Sequence, residues 1–473
     1  MRRIISFFLF ALSFLFVIPV CGCEKEQRRP ACSLELFYDD EAGIISGKAA
    51  YKFVNTANDV LSEVLFNLYP NAYNGTNSAV TERKKDKAFY AGESTGGIEI
   101  KSCSASGAPL AFEISKDGLL LNVASGDIFP NEEKQIEIEF ETTLPKANLR
   151  LGITEKTINL ADFYPVLCKL SQSGFVPTGY SPFGSPYYSD SADYSVVLNV
   201  PSVFTAACSG APEKTIVDGN RTEYSYSLQN GRNFAIVLSD KFNVSAVKCG
   251  EIDVYVYSLT ENVDLADDVK KCFEFYCSAF GDYPYKTFSV AETGLLPGGT
   301  DFSGLCFISS ELTAEAKKLV AKHETAHQWW GSAVGFDRVT EAFLAEGLAD
   351  YSVYLNLVSS GENDLANDMI TRAKAAYKSF FDINKLFSGE ADTSMNRPIS
   401  GFKTEEEYVA ITHFKSLVMF TELEKTASAK KNVAAMKKLY AANKFGVAGE
   451  AELEKAFGHK EYFDSFISGK VIV

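Results

Sequence analysis

The stretch KLVAKHETAHQWWGSAV, Lys318 to Val334, holds two of the chain's four histidines, His323 and His327, with Glu324 between them. Helical spacing of apolar residues predicts a helix here, from an N-cap at Thr313 to a stop at Gly331. On a helix, positions i and i+4 share one face, so both imidazoles can reach a single ion. A second helix is predicted over Leu344–Leu357, and it carries Glu346, nineteen residues after His327. A carboxylate inside the apolar run AFLAEGLADY is costly to bury unless something pairs with it. A fold that satisfies all three side chains must pack the two helices so that His323, His327 and Glu346 converge.

Three such donors suit zinc, which takes imidazole and carboxylate ligands and often leaves a fourth position for water. One zinc ion per chain is the expected cofactor. A bound divalent ion lowers the pKa of water towards 7, and Glu324, beside the metal-facing side of the helix, is placed to take the proton. His-Glu-x-x-His on a helix is for this reason a metallopeptidase pattern.

From about Ser33 to Ala246 the chain reads as strands and turns. LELFYDDEAGIISGKAAYKFVN alternates apolar and polar residues around an Asp-Asp-Glu-Ala-Gly turn, and KQIEIEFETTL and DYSVVLNVPSVFTAACSG keep the same period of two. Near Val254 the period changes to helical. The expected architecture is multi-domain α+β: an antiparallel β-sandwich or saddle over residues 33–250, then a mostly α-helical unit over residues 251–473 with a small sheet at its start.

The first residues read as a targeting segment. Arg2 and Arg3 precede an apolar run from Ile4 to Val20, then VCGC and the polar EKEQRRP. This pattern is similar to a bacterial lipoprotein signal over residues 1–22, with Cys23 carrying the lipid and residues 23–32 as a linker. The competing reading is an uncleaved membrane anchor, the run being near the short end of spanning length. Both place the remainder outside the cytoplasm, held to the membrane by its N-terminus alone; a secreted form is the further alternative. A net charge of −15 argues against nucleic acid as a partner. Eight cysteines follow Cys23, none spaced as C-x-x-C, so neither a cysteine zinc site nor a thioredoxin-like motif is expected.

HETAHQWWG, the nineteen-residue step and LAEGLADY resemble the aminopeptidase N family of zinc metallopeptidases, the gluzincins with a thermolysin-like catalytic domain. FGDYPY, Phe280 to Tyr285, and FNLYPNAY, Phe66 to Tyr73, are similar to further family segments. The resemblance implies a short form without the family's C-terminal helical domain. It also implies zinc held by His323, His327 and Glu346, Glu324 as general base, and a peptide substrate.

Two stretches depart from the family pattern. Where the family binds the substrate's free amino terminus with Gly-x-Met-Glu-Asn, this chain has GGTDFSG. Gly298 and Gly299 match, Asp301 stands in the place of Glu and Phe302 in that of Asn. Asp301 keeps the charge for an α-ammonium on a side chain one methylene shorter, and a misplacement of this order costs about 100-fold in rate. In YVAITHFKSLVMF, alignment on Lys415 puts His413 where the family has its oxyanion-stabilising tyrosine, and Tyr408 matches a second site tyrosine of some members. His413 is either an N–H donor to the oxyanion or a partly buried helix histidine. The leading expectation is a zinc aminopeptidase. The alternatives are a catalytically impaired lipoprotein that binds peptides through the same pocket, and an endopeptidase.

Overall fold

A computed structural model describes residues 29–77, 79–185, 187–259 and 265–469. The expected leader and the lipid-bearing Cys23 lie outside the described residues. Among the described residues no helix is long and apolar enough to cross a membrane.

The N-terminal region is built of β-sheets, as its alternation implies. The strands Ala31–Asp39 and Ile44–Val54 form the expected hairpin, and along the first of them every second residue is buried. They lie in the middle of an eight-stranded sheet, in which Ile44–Val54 pairs with Glu133–Thr143 and Ala31–Asp39 with Ala192–Pro201. That last pairing is parallel, a departure from the purely antiparallel expectation. Parallel neighbours need a long crossover, and here the chain between them supplies one whole four-stranded sheet, containing Leu61–Asn67 and Leu120–Ile128, and two strands of another, Leu151–Ile153 and Ile158–Leu160, which Ile236–Ser239 later joins.

The second region opens with a five-stranded sheet ordered Asn243–Cys249, Ile252–Ser258, Thr287–Thr293, Leu305–Ser309 and, at the edge, Gly299–Phe302. The hairpin of Asn243–Cys249 with Ile252–Ser258 therefore lies across the expected division at residues 250 and 251. Helix α1, Leu265–Phe280, packs on this sheet. Two further helices carry site residues, α2, Ala314–Ala326, and α3, Ala342–Ser359; α4, Asn363–Ser388, follows them. A fourth run begins as α5, Glu405–Val409, passes through a π-helical stretch, Ala410–Lys415, and continues as α6, Ser416–Ala427. Three shorter helices, Ala429–Asn443, Glu450–Phe457 and Lys460–Ile467, complete the region.

Helix α2 starts where its cap predicts, with the Thr313 hydroxyl accepting from the Ala316 N–H. It ends five residues before the expected stop at Gly331. The reason is packing: Trp329 and Trp330 are wholly buried, and the chain turns at Gln328–Val334 to put both indoles into the core beside Phe273, Tyr276 and Phe280 of α1. The helical turn still reaches His327, whose N–H bonds the His323 carbonyl at 3.2 Å. Helix α3 is fixed across this turn by two buried bonds, Trp330 Nε1 to Ser352 Oγ at 3.0 Å and Lys322 Nζ to Asn356 Oδ1 at 2.8 Å. These bonds set the height at which Glu346 faces the two histidines.

The eight cysteines from Cys32 to Cys306 are free thiols, and all but Cys277 are buried. They behave as small apolar core residues.

Candidate active site

His323 Nε2 and His327 Nε2 lie 3.0 Å apart, and Glu346 Oε2 lies 3.4 Å from the first and 3.2 Å from the second. Ligands about 2.05 Å from a tetrahedral zinc would be about 3.3 Å from one another, so the three atoms already stand close to the corners such an ion needs. The remaining ring nitrogens agree. His327 Nδ1 is 2.9 Å from the Trp330 carbonyl and His323 Nδ1 is 2.8 Å from Asp350 Oδ1. With the proton on Nδ1 each turns an Nε2 lone pair inward, the orientation that outer partners impose on metal-binding histidines; Arg338 Nη2 also lies 3.2 Å from His327 Nδ1. Two lone pairs and a carboxylate in such proximity repel one another until a cation stands between them. The donor set thus fits the zinc ion that the sequence implies.

Glu324, on the same helix, lines the cavity in front of these atoms. Burial pushes its carboxyl up to about 7, against the pull of both histidines, which suits a base working near neutral pH. Room for it comes from Gly299, where an added Cβ would stand 2.5 Å from Glu324 Oε1. A glycine there lets the edge strand approach the carboxylate.

The structure brings His413 to the same cavity, with Nε2 3.7 Å from Glu346 Oε2. It reaches inward from the π-helical stretch, a distortion that often marks functional positions in helices. Its Nδ1 lies 3.1 Å from Asp350 Oδ2. One carboxylate thus holds both His323 and His413, with an oxygen for each. Burial opposes a charge on His413, but Glu346 and Asp350 hold its pKa above the ordinary value. With Nδ1–H committed to Asp350, the imidazolium form is the one that presents an Nε2–H to the cavity. Tyr408 also lines the cavity, its ring 6.1 Å from that of His413, and burial keeps its phenol protonated. His459 lies apart, capping the last helix.

Asp301 lines the cavity from the edge strand, but its carboxylate is already engaged. Arg338 forms a bidentate pair with it at 2.7 and 3.0 Å, both side chains being buried. Burial works to raise the Asp301 pKa, yet the guanidinium holds it below the usual value. Lone pairs remain on the oxygens for an ammonium, but the charge is matched. Gly298, φ +144°, marks the bend into the strand.

Asp350 and Arg338 were not singled out in the sequence. Asp350 had a readable signal, lying four residues after Glu346 on the same helix and so on the same face; the Arg338–Asp301 pair joins a loop to a strand and left none. Asp350→Asn puts a donor where one imidazole needs an acceptor. The expected result is a 10- to 100-fold loss of zinc affinity, read by competition with a chelating dye, with the melting temperature of the metal-free protein nearly unchanged.

The cavity itself, about 250 Å³, lies between the two regions. Tyr73, Arg150, Tyr180 and Gly184 of the β region form one wall, and the edge strand with α2, α3 and α5 forms the other.

Residues 306–468 match the model of the peptidase family M1 domain. The M1 zinc metallopeptidase from Deinococcus radiodurans superposes with a TM-score of 0.67 at 15% identity, covering 94% of this chain and 96% of that one. A variant of that enzyme bound to a Tyr-Ser-Ala substrate gives 0.66 over the same shares at the same identity. A two-domain M1 zinc metallopeptidase variant bound to L-arginine gives 0.64, again at 15% identity over 94% and 96%. The β-then-helical order of this chain is the fold of those two-domain structures.

Proposed function

We propose that this chain, whose residues 306–468 form a peptidase family M1 domain, is a zinc-dependent peptidase that releases N-terminal residues from peptides. The observation that carries the reading is the convergence of His323, His327 and Glu346 within 3.4 Å of one another, with Glu324 beside them in an open cavity. His323, His327 and Glu346 would hold a zinc ion, which would supply a Lewis acid for a water molecule and for the scissile carbonyl. Glu324 takes the proton of that water and returns it to the departing amine. His413 donates its Nε2–H to the oxygen on which negative charge develops, with the Tyr408 hydroxyl as the neighbouring donor. Among the described residues the strand Gly299–Phe302 has a partner on one side only, so its outer edge offers main-chain groups to an extended peptide.

The Asp301–Arg338 pair favours a second reading, an endopeptidase, because a carboxylate whose charge is matched holds an α-ammonium less firmly. The test is a peptide series cut with free and with acetylated amino termini. The aminopeptidase reading expects acetylation to lower kcat/KM by at least about 10-fold, the loss of one charge-assisted hydrogen bond. Equal rates, or internal cuts, would establish the endopeptidase instead.

A lipid anchor at Cys23 belongs to the same proposal: a peptidase tethered outside the cytoplasm by its N-terminus. The basic residues, apolar run and VCGC of the sequence support it.

A further inference from the structure

The β-side wall of the cavity holds a cation that the chemistry above does not use. Arg150 is half-buried there, its guanidinium 5.4 Å from the ring centre of Tyr180 and 5.6 Å from that of Tyr187. Among the described residues its side chain makes one hydrogen bond, from Nη1 to the Gly184 carbonyl at 3.3 Å. Among the described residues no carboxylate pairs with it directly. Asp162 acts on it through space, while its carboxylate is taken up by the Tyr187 hydroxyl. A guanidinium carries five N–H donors, and none of the Arg150 nitrogens is shut away from both solvent and partner. Its unused donors therefore open on the cavity.

Position gives these donors a meaning. Gly184, which accepts from Arg150, packs so closely on Tyr408 that an added Cβ would stand 2.9 Å from the phenol oxygen. Tyr408 in turn neighbours His413. Arg150 is thus joined to Tyr408 through Gly184. Asp301, Glu324 and Glu346 line the cavity from the edge strand and the helices, whereas Arg150 lines it from the β region. The cavity volume of about 250 Å³ falls below the range of roughly 300–1,000 Å³ usual for ligand pockets, which suits a short peptide.

We infer that Arg150 binds a carboxylate of the substrate, so that the site selects short peptides bearing a negative charge beyond the cut bond. A planar fork matches a carboxylate bidentately. The charge can be the peptide's own C-terminus or an acidic side chain. The inference rests on the peptidase reading for the direction of the chain, but recognition of the carboxylate does not need turnover.

The experiment compares tripeptides with a free C-terminus, their C-terminal amides, and amides carrying Glu or Gln at the last position. For the wild type, kcat/KM should favour the charged member of a pair by about 10- to 100-fold, the worth of a charge-assisted bidentate contact. A free-acid effect names the C-terminus as the source, and a Glu-over-Gln effect names the side chain. In Arg150→Gln the ratio should fall to within about twofold. Arg150→Lys, keeping the cation without the fork, should retain part of it. A folding defect lowers charged and neutral substrates together and leaves the ratio standing. Calorimetric binding of the same peptides to Glu324→Gln separates the two claims. Preference for the charged peptide, lost on adding Arg150→Gln, upholds the inference even if the wild type cleaves nothing. Turnover without discrimination, or discrimination that survives Arg150→Gln, overturns it and leaves the peptidase reading intact.

Discussion

Glu324→Gln is expected to lower kcat by about 10²–10⁴-fold, the contribution of a positioned general base, while zinc content and melting temperature stay at wild-type values. The substitution is nearly isosteric and removes only basicity. The carboxyl sits at about 7 because it is buried, and the close approach of Gly299 leaves no space for another residue to take its part. His323 and His327 take their orientation from Asp350 and from the Trp330 carbonyl, not from Glu324, so the metal should remain. Steady-state kinetics together with elemental analysis check this. An unchanged kcat with zinc in place would remove Glu324 from the chemistry.

A larger effect is expected from His327→Ala. His327 is 2% exposed and stands 3.0 Å from His323 Nε2 and 3.2 Å from Glu346 Oε2. Without it, two donors remain where zinc ordinarily takes at least three from the protein. Metal content should fall to near zero and hydrolysis to background. There is also a stability signature. An ion that binds only the folded state stabilises it by about 4 kcal/mol at a free concentration 1,000 times Kd. Chelation should accordingly lower the melting temperature of the wild type and leave that of His327→Ala where it was. A wild type indifferent to chelators would mean that the cluster holds no ion.

The parts of this site that could be read in the sequence are those set by local helical geometry. His323 and His327 share a face because α2 persists through His327, and Glu346 announced itself as a charge in an apolar helix. Alternation along Ala31–Asp39 likewise fixed which face of that strand is buried. What could not be read depends on residues far apart in the chain. The end of α2 was set by two tryptophans finding the aromatic surface of α1, not by Gly331. The state of Asp301 depends on Arg338, thirty-seven positions later, and that of Arg150 on tyrosines reached only after the β region closes. Alignment gave His413 a place but no partner; Asp350, tying it to His323, is what gives its ring a defined tautomer.

The most direct test of the account is the metal content of the purified protein, read by elemental analysis beside protein concentration. The account predicts one zinc per chain, retained in Glu324→Gln and absent from His327→Ala. A wild type that holds no stoichiometric zinc after purification in zinc-containing buffer, or a His327→Ala protein that holds as much as the wild type, would contradict it.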